Sequence, residues 1–140
     1  MIAVVERSKL YSTEPVGGPT GQSDYTNAAC LVQTTLSARE LLDVCLSIEQ
    51  QFGRKRGVRW GPRTLDIDLL LYGDRIVSEP GLQLPHPRLQ ERLFVLVPLS
   101  DVAQKDLALG PDGATLQEVL RIALESADET IEDWRYRVTD

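Results

Sequence analysis

Cysteine is scarce in this chain: there are two in 140 residues, Cys30 and Cys45, with no metal-ligand spacing. That sets aside a disulfide scaffold or a cysteine-built metal site. Both thiols are predicted to be reduced core residues of a cytosolic protein, one in a strand and one in a helix. Long apolar runs are missing as well, and none approaches the ~20 residues of a membrane span. The opening stretch MIAVVERSKLYSTEP lacks a basic segment followed by an apolar one, so it is not read as a secretory leader. No G-x-x-x-x-G-K-[ST] run occurs, which excludes a P-loop enzyme. Positive charge is in deficit: the net charge of −6 argues against a general binder of nucleic acid or anionic membrane. Histidine is represented once, by His86, and a lone histidine is more often structural than catalytic.

What is present is the composition of a soluble globular domain, 42% hydrophobic and 26% charged. The length suits one domain, residues 1–140. The cations are unevenly spread. Arg54, Lys55, Arg56, Arg59 and Arg63 fall in the ten residues RKRGVRWGPR, a third of the fifteen Lys and Arg, with no acid among them. Such a cluster predicts a strongly anionic ligand.

Residues 2–11 mix β-branched and polar types and predict a strand, and residues 26–36 a second. Between them, STEPVGGPTGQSDY carries three Gly and two Pro and reads as a loop. Ser37 and Glu40 form an S-x-x-E capping box before a helix over about 38–52, with Leu41, Cys45, Ile48 and Phe52 on its apolar face and Gly53 at its stop. The basic stretch is loop-like. A strand is predicted over 64–72, then a turn at Gly73–Asp74 and a short returning strand. Pro87 starts a helical turn, and Thr115 with Glu118 forms a second capping box ahead of a helix near 116–126. Strands and helices alternate without repeats, which favours α+β or α/β over all-α.

The chemistry concentrates in RWGPRTLDIDLLLYG, residues 59–73. In a strand, Asp66 and Asp68 stand on one face with Cα atoms roughly 6.5–7 Å apart. Paired carboxylates hold hard divalent cations, and Mg²⁺ is commonly bound by one or two carboxylates plus substrate phosphates. Two acids on a solvated sheet face would carry the same pattern. The adjoining arginines favour the metal reading, because guanidinium groups fork onto phosphate oxygens while Mg²⁺ bridges and neutralises them. Tyr25, Asn27, Trp60 and Phe94 are core or surface residues on composition alone.

RWGPRTLDIDLL resembles the signature of the 6-hydroxymethyl-7,8-dihydropterin pyrophosphokinases of folate biosynthesis. YSTEPVGG and SDYTNAA resemble that family's pterin-side loop and strand, and LPHPRLQERLFVLVPL resembles the segment after its metal strand. The similarity spans about residues 5–100. It implies a ferredoxin-like α+β sandwich, an antiparallel-rich sheet with helices packed on it. It also implies transfer of pyrophosphate from ATP to the pterin's hydroxymethyl group, releasing AMP. By position, Asp66 and Asp68 would bind two Mg²⁺ ions and, with Arg54 and Arg63, form the catalytic set. Arg54 and Arg63 would engage phosphates, Arg56, Arg59 and Trp60 would lie on a closing loop, and Glu49 and His86 would be near the nucleotide. Tyr25 and Phe94 would sandwich the pterin, Asn27 would bond its edge, and Thr13, Val16 and Arg92 would complete the pocket. Catalysis would rest on positioning and charge neutralisation, with water excluded by the loop.

The family's usual first strand, Gly-Ser-Asn turn and first helix have no match, which predicts an open sheet edge and an uncovered core face. A downstream translation start, completion by a second copy through self-association, and a degenerate relative are the three explanations. The basic loop is slightly short, Glu14 stands where a second proline is frequent, and Leu46 replaces a polar residue. Two other functions remain open: a non-catalytic nucleotide- or pterin-binding relative, and an RNA-binding ferredoxin-like domain. The acid pair beside the basic loop opposes the latter, since it would repel a phosphate backbone. The tail DETIEDWRYRVTD carries no functional signal.

Overall fold

Two long β-rich runs begin the fold, and each breaks in the middle. In the computed structural model of the chain, residues 1–13, 25–53 and 65–139 are described. The predicted strand over 2–11 is two strands, β1 (Ile2–Arg7) and β2 (Leu10–Thr13), and the predicted strand over 26–36 is likewise β3 (Tyr25–Asn27) and β4 (Cys30–Thr34). β1 pairs with β4, while β2 pairs antiparallel with β3, Tyr11 opposite Asn27 and Thr13 opposite Tyr25. Both runs break at one level, where the Ser8 N–H donates to Ala29 O at 2.8 Å and the Ala29 N–H donates to Ser8 Oγ at 2.8 Å. A side chain there replaces a ladder bond, which is why one regular hairpin does not form.

Contacts divide the chain into two compact units, Met1–Ile2 with Thr34–Pro87, and Ala3–Gln33 with Arg88–Asp140. The first contains α1 (Ala38–Gly53) and the antiparallel pair β5 (Val77–Glu79) and β6 (Leu82–Leu84). The predicted capping box of α1 forms: the Ser37 N–H donates to Glu40 Oε1 at 2.9 Å and the Glu40 N–H to Ser37 Oγ at 3.1 Å. Leu41 and Cys45 are buried as expected, but Phe52 is 53% exposed and does not join the core face. Ala38, Leu82 and Leu84 form this unit's core, with Leu42, Leu69, Tyr72 and Val77 packed on it. The Tyr72 hydroxyl donates to Leu36 O. Gly73 takes φ 57° at the predicted turn, a conformation that suits glycine.

The strand predicted over 64–72 does not form a ladder. Residues 65–72 belong to no strand, yet Leu65, Ile67 and Leu69 are half-buried while Asp66 and Asp68 are exposed; Leu70, Leu71 and Tyr72 are half-buried too, so the alternation stops at Leu69. The alternation was legible; the partner strand it needs is not among the described residues.

The second unit adds a 3₁₀ turn (Leu89–Glu91), α2 (Leu93–Val102), α3 (Leu116–Ser126), α4 (Ile131–Arg135) and β7 (Val138–Thr139), which pairs antiparallel with β2. Four consecutive residues of α2, Leu96 to Leu99, are buried. Thr115 caps α3 as predicted, accepting from the Glu118 N–H at 3.3 Å, but the Glu118 carboxylate takes the Thr115 hydroxyl rather than closing a reciprocal box. Tyr11, Val97 and Trp134 form the core cluster beneath β2, with Leu93, Leu120 and Leu124 against it. Cys45 is buried as expected, but Cys30, also expected in the core, is exposed on β4. β1 is exposed along its whole length, Ile2, Val4 and Val5 included. The class is α+β, with the described strands in three small sheets.

Candidate functional site

Glu49 lies near the C-terminal end of α1, where the negative pole of the helix disfavours a carboxylate. It is compensated by a donor: the Ile67 N–H bonds Glu49 Oε2 at 2.6 Å. Ile67 separates Asp66 from Asp68, so a helix-borne carboxylate fixes the backbone from which both acids project. Asp66 and Asp68 are exposed, while Leu65, Ile67 and Leu69 around them are half-buried.

An open cleft of about 310 Å³ adjoins this segment. Leu42 of α1, Ile67, Asp68 and Leu69, Glu79, Gly81, Leu82 and Gln83 of the β5–β6 hairpin, and His86 with Pro87 line it. His86 is half-buried, and its backbone N–H donates to Leu70 O at 2.9 Å, which ties this position to the segment that carries the acids. The apolar wall of Leu42, Ile67, Leu69 and Leu82 suits a flat ring, and the polar groups sit around it. Glu79 is engaged by Arg39, 3.1 Å away, which also donates to Pro80 O at 2.9 Å.

The pterin-side candidates lie in the second unit. The Asn27 amide donates to Thr13 Oγ1 at 2.9 Å across the β2–β3 pair, so the two act as one polar patch. Tyr25, opposite Thr13, is 51% exposed. Arg92 precedes α2 and places its guanidinium 5.5 Å from the centre of the Phe94 ring, which is 40% exposed. An aromatic face that is open and flanked by a cation is suited to stacking on a polar heterocycle.

Of the sequence candidates, Glu49, Asp66, Asp68 and His86 fall in the first unit, and Thr13, Tyr25, Asn27, Arg92 and Phe94 in the second. Val16, Arg54, Arg56, Arg59, Trp60 and Arg63 lie outside the described residues. The cleft walls Leu42, Glu79 and Gln83 escaped the sequence reading. The signal that existed was the Pro80–Gly81 turn between short alternating runs, with Gly81 at φ 74°. Among the described residues, no group of three or more His, Cys, Asp or Glu is arranged to hold a metal. No helix among them is long and apolar enough to cross a membrane.

Residues 1–104 match the family model described as 7,8-dihydro-6-hydroxymethylpterin-pyrophosphokinase. A 2-amino-4-hydroxy-6-hydroxymethyldihydropteridine pyrophosphokinase of Methylorubrum extorquens is 47% identical over 131 residues, 94% of this chain and 80% of that protein. Proteins of the same name from Pseudomonas aeruginosa and Bacillus subtilis are 45% and 40% identical, covering 84% and 86% of this chain and 70% and 72% of their own lengths. The acid segment, the cleft beside it, Tyr25 and Phe94 all lie within the matched span, and the chain belongs to the 7,8-dihydro-6-hydroxymethylpterin-pyrophosphokinase family.

Proposed function

We propose that the chain transfers pyrophosphate from ATP to 6-hydroxymethyl-7,8-dihydropterin, giving AMP and the pterin diphosphate, in folate biosynthesis. The observation that carries this reading is the acid segment: two exposed carboxylates on a backbone anchored by Glu49, beside a cleft that includes Asp68 and His86. Two carboxylates alone do not complete a protein metal site, but they fit Mg²⁺, which takes its remaining oxygens from phosphates and water. Asp66 and Asp68 would hold two such ions, whose chemistry is to neutralise charge on the phosphates of ATP.

The remaining work falls to the chain's own residues. The apolar cleft wall and His86 receive the base, and Glu49 keeps the acid segment in place. Arg54 and Arg63 pair with phosphate oxygens, and Arg56, Arg59 and Trp60 limit access of water. Tyr25 and Phe94 hold the pterin ring between them, while Thr13, Asn27, Val16 and Arg92 fix its edge. The hydroxymethyl oxygen then bonds to the β-phosphorus, the bond from that phosphorus to the α–β bridging oxygen breaks, and the alcohol proton passes to solvent. No strong base is needed if alignment and charge neutralisation supply the rate.

The test is AMP formation by the chain with ATP, Mg²⁺ and the hydroxymethyl dihydropterin, against a control without pterin. Pterin-dependent AMP is expected and should vanish with chelator. A folded chain that binds pterin or nucleotide yet forms no AMP would instead be a non-catalytic relative.

A further inference from the structure

Thr13, Tyr25 and Asn27 stand on a very small piece of sheet. β3 has three residues, and a two-stranded ribbon of that length is marginal alone. The third strand comes from the C-terminus: β7 runs along the other edge of β2, with Tyr11 between Asn27 on one side and Val138 on the other. The Ser12 N–H, one residue before Thr13, donates to Arg137 O at 2.8 Å.

Beneath this sheet lies Trp134, only 3% exposed. Its ring meets Tyr11 edge-on, with centres 6.2 Å apart and planes at 65°. It shares a cluster with Val97 of α2, against which Leu93 packs, and Leu93 stands between Arg92 and Phe94. One indole thus supports both the strand that carries Thr13 and the helix start that carries Arg92 and Phe94. The indole is itself fixed. Its Nε1–H donates to Glu129 Oε1 at 3.0 Å, Glu129 Oε2 takes Arg137 at 3.0 Å, and the Arg137 guanidinium lies 4.3 Å from the centre of the Trp134 ring. Thr130 and Asp133 cap the short helix that presents it.

From this we infer that Glu129, Trp134 and Arg137 form a positioning device for the pterin half of the site, resting on the function proposed above. The device lies beyond residue 104, where the family model ends. The described nucleotide-side candidates, Glu49 and His86, belong to the other unit. Loosening it should therefore disturb pterin and spare nucleotide.

The experiment measures binding of 6-hydroxymethyl-7,8-dihydropterin and of a non-hydrolysable ATP analogue by titration calorimetry. The full chain is compared with Trp134→Leu, Trp134→Phe and Glu129→Gln, each checked for fold by circular dichroism. Trp134→Leu should weaken pterin binding roughly tenfold, because small displacements of positioned groups are costly, with nucleotide affinity retained. Trp134→Phe should recover most of the loss, since a phenyl edge still meets Tyr11. A folded Trp134→Leu chain with unchanged pterin affinity overturns the inference, as does a parallel fall in both affinities. If Trp134→Leu does not fold, Glu129→Gln decides: selective loss of pterin affinity supports the device, and unchanged affinity overturns it. An unmodified chain that binds no pterin overturns the proposed function, and the inference with it. Pterin binding that is insensitive to these variants overturns the inference alone.

Discussion

Two side chains show how little of a residue's work is visible in its neighbours along the chain. Asp66 and Asp68 were legible as a pair from spacing alone, but the carboxylate that holds them, Glu49, is eighteen positions away, on a helix. Replacing Glu49 with Ala leaves the Ile67 N–H without its partner, at a cost of roughly 1–3 kcal/mol, and frees the acid segment. The Mg²⁺ concentration giving half-maximal turnover should rise, and a magnesium titration of activity measures it. Tyr11 is the second case. Burial first, and then the hydrogen bond to Asp101 at 2.7 Å, push its phenol above the ordinary value of 10.0. A pKa raised by folding contributes stability that is intact below the unfolded value and lost as pH rises through the folded one. Alkaline unfolding should therefore steepen above the ordinary phenol range, and Tyr11→Phe should remove that dependence at a cost of about 1 kcal/mol at neutral pH. Urea midpoints measured across alkaline pH give both numbers.

Local signals worked best for elements whose ends are fixed by their own residues. The Ser37–Glu40 box set the start of α1 because donors and acceptors lie within three residues of each other. Ser37→Ala should lower stability by about 1 kcal/mol with no change in pterin affinity, readable from paired urea and binding curves. The same logic was available at Thr130 and Asp133, whose box opens α4 within a tail that carried no functional signal. Prediction failed where an element needed a distant partner. Residues 65–69 alternate in burial as a strand would, but alternation states which side chains share a face and not whether another strand will pair. Phe52 fits the apolar period of α1 and is still exposed, because periodicity does not say how far along a helix the covering layer extends.

At the scale of the molecule, the candidate metal and nucleotide residues belong to one unit and the candidate pterin residues to the other, which makes their losses separable. Asp68→Ala should reduce turnover by roughly a hundredfold or more while pterin affinity holds. Because Asp68 is exposed, stability should stay within about 0.5 kcal/mol. Phe94→Ala should weaken pterin binding roughly tenfold and leave nucleotide affinity in place, as expected for a lost stacking face. Calorimetry with each ligand on both variants checks the pair; a loss of both affinities in either variant contradicts the assignment. By itself the sequence determined the start of α1 and the acid pair with its neighbouring arginines, which depend on spacing, capping and composition within short stretches; the α+β class over α/β, and the family, followed from the resemblance carried by RWGPRTLDIDLL and its flanking segments. Tertiary structure alone decided that Glu49 anchors the acid segment, that the β5–β6 hairpin walls the cleft, and that Trp134 supports the strand carrying Thr13. Those are contacts between residues far apart in the chain, and only folding brings their donors, acceptors and apolar surfaces within reach of one another.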